Sequence, residues 1–367
     1  MAPKGERKGV IILAKLKVGL LGCGNITGVH SASWKVLCNG VDAELVAFAD
    51  LVPEKRAAMA EKFPGARQYE KAMDLLESET LDIADVCLPT YLHAEHAVAA
   101  MNKGINVFME KPVCLRRSEV KKLLDAERNN GVKAMVGQVV RFFDEYRYLE
   151  KAYKSGEFGK LKTLFLQRIS GGGSPKKDAE PKNVSWFRMP EKSGTAILDF
   201  HIHDVDYIRS LLGEPKSVSV VSDCTKERQP THVAAVYQYD GVLAFAEGGW
   251  GHAAGYGFVM AYRANFEDAT IVYSSREKPS VTLYKDGAVT HPEIPAANQY
   301  SSADGSENIP GVGPYFEEIR YFFECVAEGK PVMEASLADA LKTYELTMTE
   351  LEMAYRQAGA DFPIEHE

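Results

Sequence analysis

The sequence has little that would suit a nucleic-acid or membrane partner. It contains no long basic run, and its formal net charge is −8. No segment approaches the roughly 20 consecutive apolar residues that a membrane span needs. Because a chain of this charge repels phosphate backbones and anionic lipids, we expect neither nucleic acid nor membrane as a partner.

The cysteines offer no framework for disulfides or zinc, since none of them forms a CxxC pair. Several lie in apolar runs such as DVCLP, which is typical of buried, reduced thiols. The six are Cys23, Cys38, Cys87, Cys114, Cys224 and Cys325. We therefore predict a cytoplasmic protein without a structural metal.

The chain length predicts more than one domain. With 367 residues, the sequence suggests two domains at about 150 residues each. The N-terminus is basic and then apolar, as in a signal peptide, but Lys15 and Lys17 interrupt the apolar stretch. We interpret residues 1–14 as an extension before the first strand.

Residues 15–138 alternate strand-like and helix-like segments. KLKVGLLG (15–22) and INVFMEKP (105–112) are near-continuous apolar strands, and AEHAVAAMNKG (94–104) is helical. VKAMVGQVVRF (132–142) is the last predicted strand. Repeated β-α-β units with strands buried on both faces predict an α/β domain with a doubly wound parallel sheet.

Residues 139–367 follow a different pattern. A helix is predicted over 196–212, and successive β-like runs between 217 and 286 then follow without intervening helices. Apolar residues at three- and four-residue spacing predict helices near the C-terminus. We predict an α+β domain with a large, open and mostly antiparallel sheet.

A glycine loop follows the first strand in VGLLGCGNITG. Gly22 and Gly24 fit the first two glycines of the Rossmann G-x-G-x-x-G fingerprint, and Thr27 occupies the third position. The first glycine permits the tight turn, and the second lets a pyrophosphate approach the backbone at a helix N-terminus. Asn25 and Ile26 complete the predicted cofactor-binding loop.

Asp50 ends the second strand, where an acid can bind both ribose hydroxyls of the adenosine and repel a 2′-phosphate. The next two residues, Leu51 and Val52, are not basic. We therefore favour NAD as the cofactor, with NADP as the alternative. Asp50 could instead simply cap the following helix.

Glu110 and Lys111 stand at the carboxyl end of a buried strand in VFMEKPVCL. Ligands bind at this edge of doubly wound sheets, and a buried lysine is costly without a role. Lys111 is therefore a catalytic candidate, against the alternative of a surface lysine in a loop.

ILDFHIHDVDYI (197–208) concentrates histidines and aspartates in one short stretch. Helical spacing aligns Asp199, His203 and Asp206 on one face, while His201 points elsewhere. A metal site would need ligands from more than one element. The alternatives are a capped helix packed on the first domain and an acid–base centre.

These motifs together resemble the Gfo/Idh/MocA family, named after glucose–fructose oxidoreductase, inositol dehydrogenase and relatives. The resemblance rests on GCGNI, LPTYLHAEHA, EKP, GQVVRF, the helix over 197–212 and the C-terminal helical segments. It implies a Rossmann domain, an NAD(P)-dependent reaction, and catalysis by Lys111, Asp199 and His203. His203 would exchange the proton of the substrate hydroxyl.

The resemblance also implies further contacts. Pro89, His93, Glu110, Lys111 and Arg141 would join the glycine loop and Asp50 in binding the cofactor. Trp186 and Arg188, together with the catalytic residues, would bind the substrate, and Tyr256 and Arg263 of the sheet domain could reach it.

Three functions follow as hypotheses. The first is hydride transfer between nicotinamide and a secondary alcohol or ketone of a sugar, glycoside or cyclitol. The second is an NAD-recycling glycoside-cleaving enzyme that oxidises its substrate transiently before elimination. The third is a non-catalytic nucleotide-binding protein. In each case the sheet domain is expected to form a homodimer or homotetramer.

Overall fold

The computed structural model describes residues 15–40, 43–171, 186–253, 255–294 and 313–364. The predicted extension over 1–14 lies outside these residues, as do most of the predicted loops over 170–183 and 301–313. The described residues form two sheets, each with helices packed against it.

The first sheet is parallel and has six strands in the order β3-β2-β1-β4-β5-β6. This is the strand order of a Rossmann domain. Its strands are β1 (Leu16–Leu21), β2 (Ala43–Ala49), β3 (Arg67–Tyr69), β4 (Ile83–Val86), β5 (Asn106–Met109) and β6 (Ala134–Val136). The predicted doubly wound sheet is thus confirmed.

Helices connect these strands and cover the sheet. They are α1 (Thr27–Gly40), α2 (Pro53–Lys62), α3 (Ala72–Ser78), α4 (His93–Asn102) and α5 (Arg117–Asn130). Strand β3 and helix α3 were not predicted from the sequence. A three-residue strand and a seven-residue helix are too short to show a hydrophobic periodicity.

The last predicted strand is too long. Pairing ends at Val136, and residues 139–142 form a 3₁₀ turn instead. A Cβ atom on Gly137 would lie 3.1 Å from Glu110 Oε1, so the buried Glu110 side chain fills the space beside this point of the chain. The chain leaves the sheet there.

The second sheet has eight strands in the order β14-β13-β12-β11-β7-β10-β9-β8. All neighbours are antiparallel except the central β7 and β10, which confirms a mostly antiparallel sheet. The strands are β7 (Leu161–Gly171), β8 (Ser217–Ser222), β9 (His232–Gln238), β10 (Leu243–His252), β11 (Phe258–Phe266), β12 (Ala269–Ser274), β13 (Val281–Lys285) and β14 (Ala288–Thr290).

Helices cover one face of this sheet and also join it to the first. The remaining helices are α6 (Asp144–Ser155), α7 (Pro190–Ser193), α8 (Ile202–Leu212), α9 (Gly313–Ala327) and α10 (Leu337–Ala358). Helix α8 packs on β7 and β10, whereas α9 packs on α1 and β5 of the first sheet. The strands of the two sheets fall on either side of residue 138, while the C-terminal helices contact both halves, so the domain limits stay a prediction.

Candidate active site

The loops that follow β1, β2, β4 and β5 meet at the carboxyl edge of the parallel sheet. Strand order reverses between β1 and β4, and ligands of doubly wound sheets bind at such a switch point. The glycine loop follows β1, Asp50 follows β2, Pro89 lies beyond β4, and Lys111 comes shortly after β5. Their strand connections therefore place the predicted nucleotide-binding residues on one edge.

The glycine loop has the shape of a pyrophosphate cradle. Gly22 has φ +98°, and a Cβ atom there would lie 2.6 Å from the carbonyl oxygen of Cys87, so only glycine fits. A Cβ atom on Gly24 would meet no protein atom within 4 Å, which leaves open space beside the N-terminus of α1. The Thr27 hydroxyl donates to the Gly22 carbonyl at 2.9 Å and closes the loop from the inside. These residues fit a dinucleotide.

Asp50 holds the neighbouring turn in place. Its Oδ2 accepts a hydrogen bond from the Cys23 amide at 2.8 Å, and its Oδ1 accepts one from the Val52 amide at 2.8 Å. Arg56 of α2 donates to the backbone carbonyl of Asp50 at 2.5 Å. The sequence pattern missed this nearby guanidinium, because it lies on the following helix rather than beside the acid.

Lys111 connects the two domains. Its Nζ lies 3.1 Å from Asp199 Oδ1 and 2.7 Å from the Asp199 carbonyl oxygen. Both side chains are largely buried, with 15% of Lys111 and 9% of Asp199 exposed. Burial raises the pKa of the Asp199 carboxyl, and the Lys111 charge acts in the opposite direction. An ammonium from the parallel sheet thus meets a carboxylate from the second domain.

The segment that carries Asp199 is not a uniform helix. Residues Ile197–His201 form a π-helical turn, and α8 starts at Ile202. Such turns insert one extra residue into a helix and are frequent at functional sites. The turn follows Gly194 and Thr195, both with positive φ.

His203 lies within the electrostatic reach of Lys111. Burial, the Lys111 ammonium and the Arg168 guanidinium hold the pKa of His203 well below its usual value. Its Nδ1 is buried and has no hydrogen-bond partner among the described residues. A neutral imidazole with an unsatisfied nitrogen is suited to accept a proton at neutral pH.

The other charged residues of this segment serve the structure. His201 Nε2 lies 3.1 Å from Glu350 Oε2, and Asp204 pairs with Arg168 at 3.2 Å. Asp206, predicted to share a face with Asp199 and His203, lies in a buried ion pair with Arg141.

The predicted role of Arg141 is therefore corrected. Its guanidinium lies 2.7 and 2.6 Å from the two carboxylate oxygens of Asp206 and 2.8 Å from Asp339. Burial disfavours its charge, but these carboxylates outweigh burial and raise the pKa of Arg141. The side chain is committed to this network rather than to a cofactor.

Two other cofactor candidates also point into the protein. The His93 ring is buried, with Nδ1 2.7 Å from the Pro112 carbonyl and Nε2 2.7 Å from the Leu88 carbonyl. Burial lowers the pKa of His93, and the two carbonyls act in the opposite direction. Glu110 Oε1 lies 3.1 Å from His30 Nε2. We correct both roles from cofactor contact to the positioning of the loops after β4 and β5.

The remaining candidates differ in their outcome. Arg263 is exposed and stacks on Phe165, on the opposite face of β11 from the buried Tyr262, so the expected substrate contact is wrong. Tyr256 lies under the Arg276 guanidinium, at 4.5 Å from its ring centroid. The roles of Tyr256, Trp186 and Arg188 stay predictions.

Sequence reasoning missed a buried polar cluster centred on His30. His30 Nδ1 lies 2.9 Å from Asp85 Oδ2, and Trp34 Nε1 donates to the same oxygen at 2.7 Å. Glu318 of α9 completes the cluster. An aspartate within the apolar strand IADV was the available signal, since an unpaired buried carboxylate is costly.

Comparison with known proteins places the chain in a family. Residues 16–138 match the family model described as "Oxidoreductase family, NAD-binding Rossmann fold", and residues 146–275 match the model of the GFO/IDH/MocA C-terminal domain. The two matched segments correspond to the parallel sheet and to most of the second sheet. A dinucleotide-binding α/β protein with a second, sheet-forming domain is the class that fold and site define.

The chain belongs to the Gfo/Idh/MocA oxidoreductase family, and residues 16–138 are its NAD-binding Rossmann domain. The predicted family and the predicted NAD-binding Rossmann domain are thereby confirmed.

Two individual relatives match only part of the chain, and at low sequence identity. The chain is 29% identical over 199 residues to myo-inositol 2-dehydrogenase of Thermotoga maritima, covering 54% of this chain and 55% of that protein. It is 33% identical over 172 residues to 2,7-anhydro-N-acetylneuraminate hydratase of Mediterraneibacter gnavus, covering 47% and 43%. These matches span about half the length of each curated relative.

A solved structure shows the same fold. Levoglucosan dehydrogenase in complex with NADH and levoglucosan superposes with a TM-score of 0.78 at 21% identity, covering 94% of this chain and 98% of that one. Within the described part of this chain, no helix is both long and apolar enough to cross a membrane.

Proposed function

We propose that this protein is an NAD-dependent oxidoreductase. It transfers a hydride between nicotinamide and a secondary alcohol or ketone of a sugar, glycoside or cyclitol. The observation that carries the proposal is the contact between Lys111 and Asp199, because it brings a cation from the cofactor edge to the second domain beside a neutral His203.

Each residue has a distinct role in the oxidation direction. NAD, when bound at the glycine loop, supplies the hydride acceptor. His203 accepts the proton of the substrate hydroxyl, since its lowered pKa keeps the ring unprotonated before the reaction. The Lys111 ammonium donates a hydrogen bond to the same oxygen and stabilises its negative charge. Asp199 holds the ammonium in place.

The substrate class is supported by the relatives and by the polar site. One relative is a myo-inositol 2-dehydrogenase, and cyclitols and sugars present neighbouring hydroxyls to such a site. The test follows absorbance of the reduced nicotinamide while a panel of cyclitols, sugars and glycosides is screened with NAD and with NADP. We expect turnover with at least one polyol and a preference for NAD. A folded protein that binds NAD but turns over no member of the panel would contradict the proposal.

A second candidate is supported by the hydratase relative. An enzyme of this type oxidises its substrate transiently, eliminates or adds a group, and returns the hydride to the same carbon framework. Incubation of the protein with glycosides and anhydro-sugars, once without and once with added NAD, separates the two. Product formation without net NADH favours this candidate, whereas NADH formed in proportion to product favours the dehydrogenase.

We further propose a homodimer or homotetramer formed through the outer face of the second sheet. Strand β9 alternates buried and exposed residues, as in a sheet covered on one face only. Apolar side chains lie exposed on this sheet at Val221, Tyr284 and Val289. Light scattering of wild type and of Val221→Lys tests this. A wild-type monomer at micromolar concentration would contradict it.

We also propose a cytoplasmic location, in keeping with six cysteines that are all free thiols. Fractionation of the cells that produce the protein tests this, and recovery outside the cytoplasm would contradict it.

A further inference from the structure

A polar cluster lies fully buried beneath the site, between α1, β4, β5 and α9. His30 of α1 stands at its centre, with Nδ1 2.9 Å from Asp85 Oδ2 and Nε2 3.1 Å from Glu110 Oε1. Trp34 Nε1 donates to Asp85 at 2.7 Å and fixes that carboxylate from the other side. The active-site roles described above use none of these groups directly.

The charges of the cluster are mutually compensated. Burial alone would lower the pKa of His30, but Asp85 outweighs it and, with Cys87, raises that pKa well above its usual value. An imidazolium donates through both nitrogens, which matches a ring placed between two carboxylates. Burial and the Glu110 charge raise the pKa of Glu318 well above its usual value. Glu318 is therefore the carboxyl of the cluster whose protonated form the fold favours.

Glu110 links the buried cluster to the active site. Its Oε2 accepts a hydrogen bond from the backbone amide of Lys111 at 3.1 Å, while its Oε1 faces His30. Gly137 leaves the space that the carboxylate occupies. Both oxygens of Glu110 are thus held, one by the backbone amide of the next residue and one by His30 of α1. The next residue is the lysine whose ammonium contacts Asp199.

We propose that Glu110 is a positioning residue, held by His30, which Asp85 in turn holds. Glu110 fixes the backbone of Lys111 so that its ammonium meets Asp199 and the reacting oxygen. The inference rests on the proposed function for its kinetic consequence, but the geometric part stands without it. An error of about 1 Å in the placement of a reacting group can lower a rate about 100-fold.

The test compares three variants in the full-length protein. Glu110→Ala removes the hydrogen bond to Lys111. Glu110→Gln keeps it when the His30 ring gives up its Nε2 proton, since the Gln amide oxygen then accepts from Lys111 while its NH2 group donates to that nitrogen. Glu318→Ala is the matched control, since it truncates a glutamate of the same buried cluster that donates no hydrogen bond to Lys111 and accepts none from it.

We expect Glu110→Ala to lower kcat about 10- to 100-fold with an unchanged Kd for NAD. Glu110→Gln and Glu318→Ala should stay within about threefold of wild type. Thermal melting shows whether the two alanine variants are destabilised alike. A kcat for Glu110→Ala no lower than that of Glu318→Ala overturns the inference. So does a failure of Glu110→Gln to restore kcat while remaining folded.

Crystal structures of wild type and Glu110→Ala provide a readout that needs no turnover. We expect the contact between Lys111 Nζ and Asp199 to be lost in the variant and kept in Glu318→Ala. Retention of that contact in Glu110→Ala overturns the inference, whatever the activity. If wild type shows this contact but no turnover on any polyol, the proposed function fails and the positioning role survives. A stoichiometric metal ion bound by His30, Glu110 and Glu318 in purified protein would also overturn it.

Discussion

His201 and His203 lie two residues apart in one segment, yet they have opposite surroundings. His201 is fully buried, and its Nε2 lies between Glu350 at 3.1 Å and the Tyr237 hydroxyl at 3.2 Å. A Cβ atom on Gly248 would lie 2.8 Å from its Nδ1, so strand β10 makes room for this ring. Nδ1 is without a hydrogen-bond partner among the described residues in both rings, but burial and the charges of Lys111 and Arg168 lower the pKa of His203.

The difference shows that the chemistry of a titratable side chain is set by elements distant in sequence. The two rings come from the same turn, but β9, β10 and α10 supply partners to one, and the edge of the parallel sheet supplies a charge to the other. The same holds for the aspartates, since Asp199 pairs with Lys111 of the first domain and Asp206 pairs with a buried arginine.

The largest expected effect comes from the two histidines. His203→Ala should lower kcat about 100- to 10,000-fold, because it removes the group that exchanges the substrate proton. His201→Gln should lower the melting temperature and leave kcat within about tenfold of wild type. Steady-state kinetics on the best polyol, with NAD affinity as the control, checks both. Equal losses of kcat in the two variants would contradict a catalytic role for His203 and a structural role for His201.

For the two aspartates, we expect Asp206 to affect the stability of the fold and Asp199 to affect kcat. Asp206→Ala leaves Arg141 paired with Asp339 alone, and the loss of the hydrogen bonds to Asp206 should lower the free energy of unfolding by about 2–3 kcal/mol. Asp199→Asn should leave stability close to wild type and lower kcat. Urea denaturation measures the first effect. An Asp206→Ala protein as stable as wild type would mean that this pair does not hold the fold together.

The pKa of His203 should respond to Lys111. Burial is the main cause of the lowered pKa, and the Lys111 ammonium adds to it, so Lys111→Met should raise that pKa towards its usual value. His203 would then become protonated at a higher pH, and any residual activity would fall off at a higher pH than in wild type. NMR titration of ¹³C-labelled histidine, with His203→Ala for assignment, measures this directly. An unchanged or lower pKa in Lys111→Met would place the ammonium away from the ring.

The smallest expected effect concerns stability at Glu318. Its pKa is raised in the folded state above the ordinary value of 4.5, so the folded protein holds a proton that the unfolded chain releases as pH rises. Its contribution to stability is therefore full below pH 4.5 and is lost as pH rises through the raised value. Glu318→Gln should make stability depend less on pH in this range, although His30, Asp85 and Glu110 remain nearby.

Melting temperatures of wild type and Glu318→Gln from mildly acidic to mildly alkaline pH check this prediction. The variant should gain relative to wild type as pH rises. A constant difference across the range would show that Glu318 is not protonated in the folded protein.

Sequence patterns revealed the elements but not their partners. The glycine loop, Asp50 and Lys111 were found because each follows a strand, and parallel topology brings strand ends together. Arg141 and His93 were misjudged because their partners, Asp206 and the carbonyls of Leu88 and Pro112, are fixed only by tertiary packing.

The π-helical turn at Ile197–His201 was not predicted, since one inserted residue in so short a segment is too small a change to recognise in the hydrophobic pattern. That one residue rotates the side chains after Asp199 relative to a regular helix. The buried His30 cluster was missed because its members come from separate elements.

The central claim is that Lys111 from the Rossmann domain and His203 from the second domain act on one oxygen atom. A crystal structure of the protein with NADH and the best polyol from the substrate screen tests it most directly. We expect one substrate oxygen within hydrogen-bonding distance of both Lys111 Nζ and the His203 ring. A substrate bound with its reacting carbon beside the nicotinamide, but with that oxygen contacting neither group, would contradict the account.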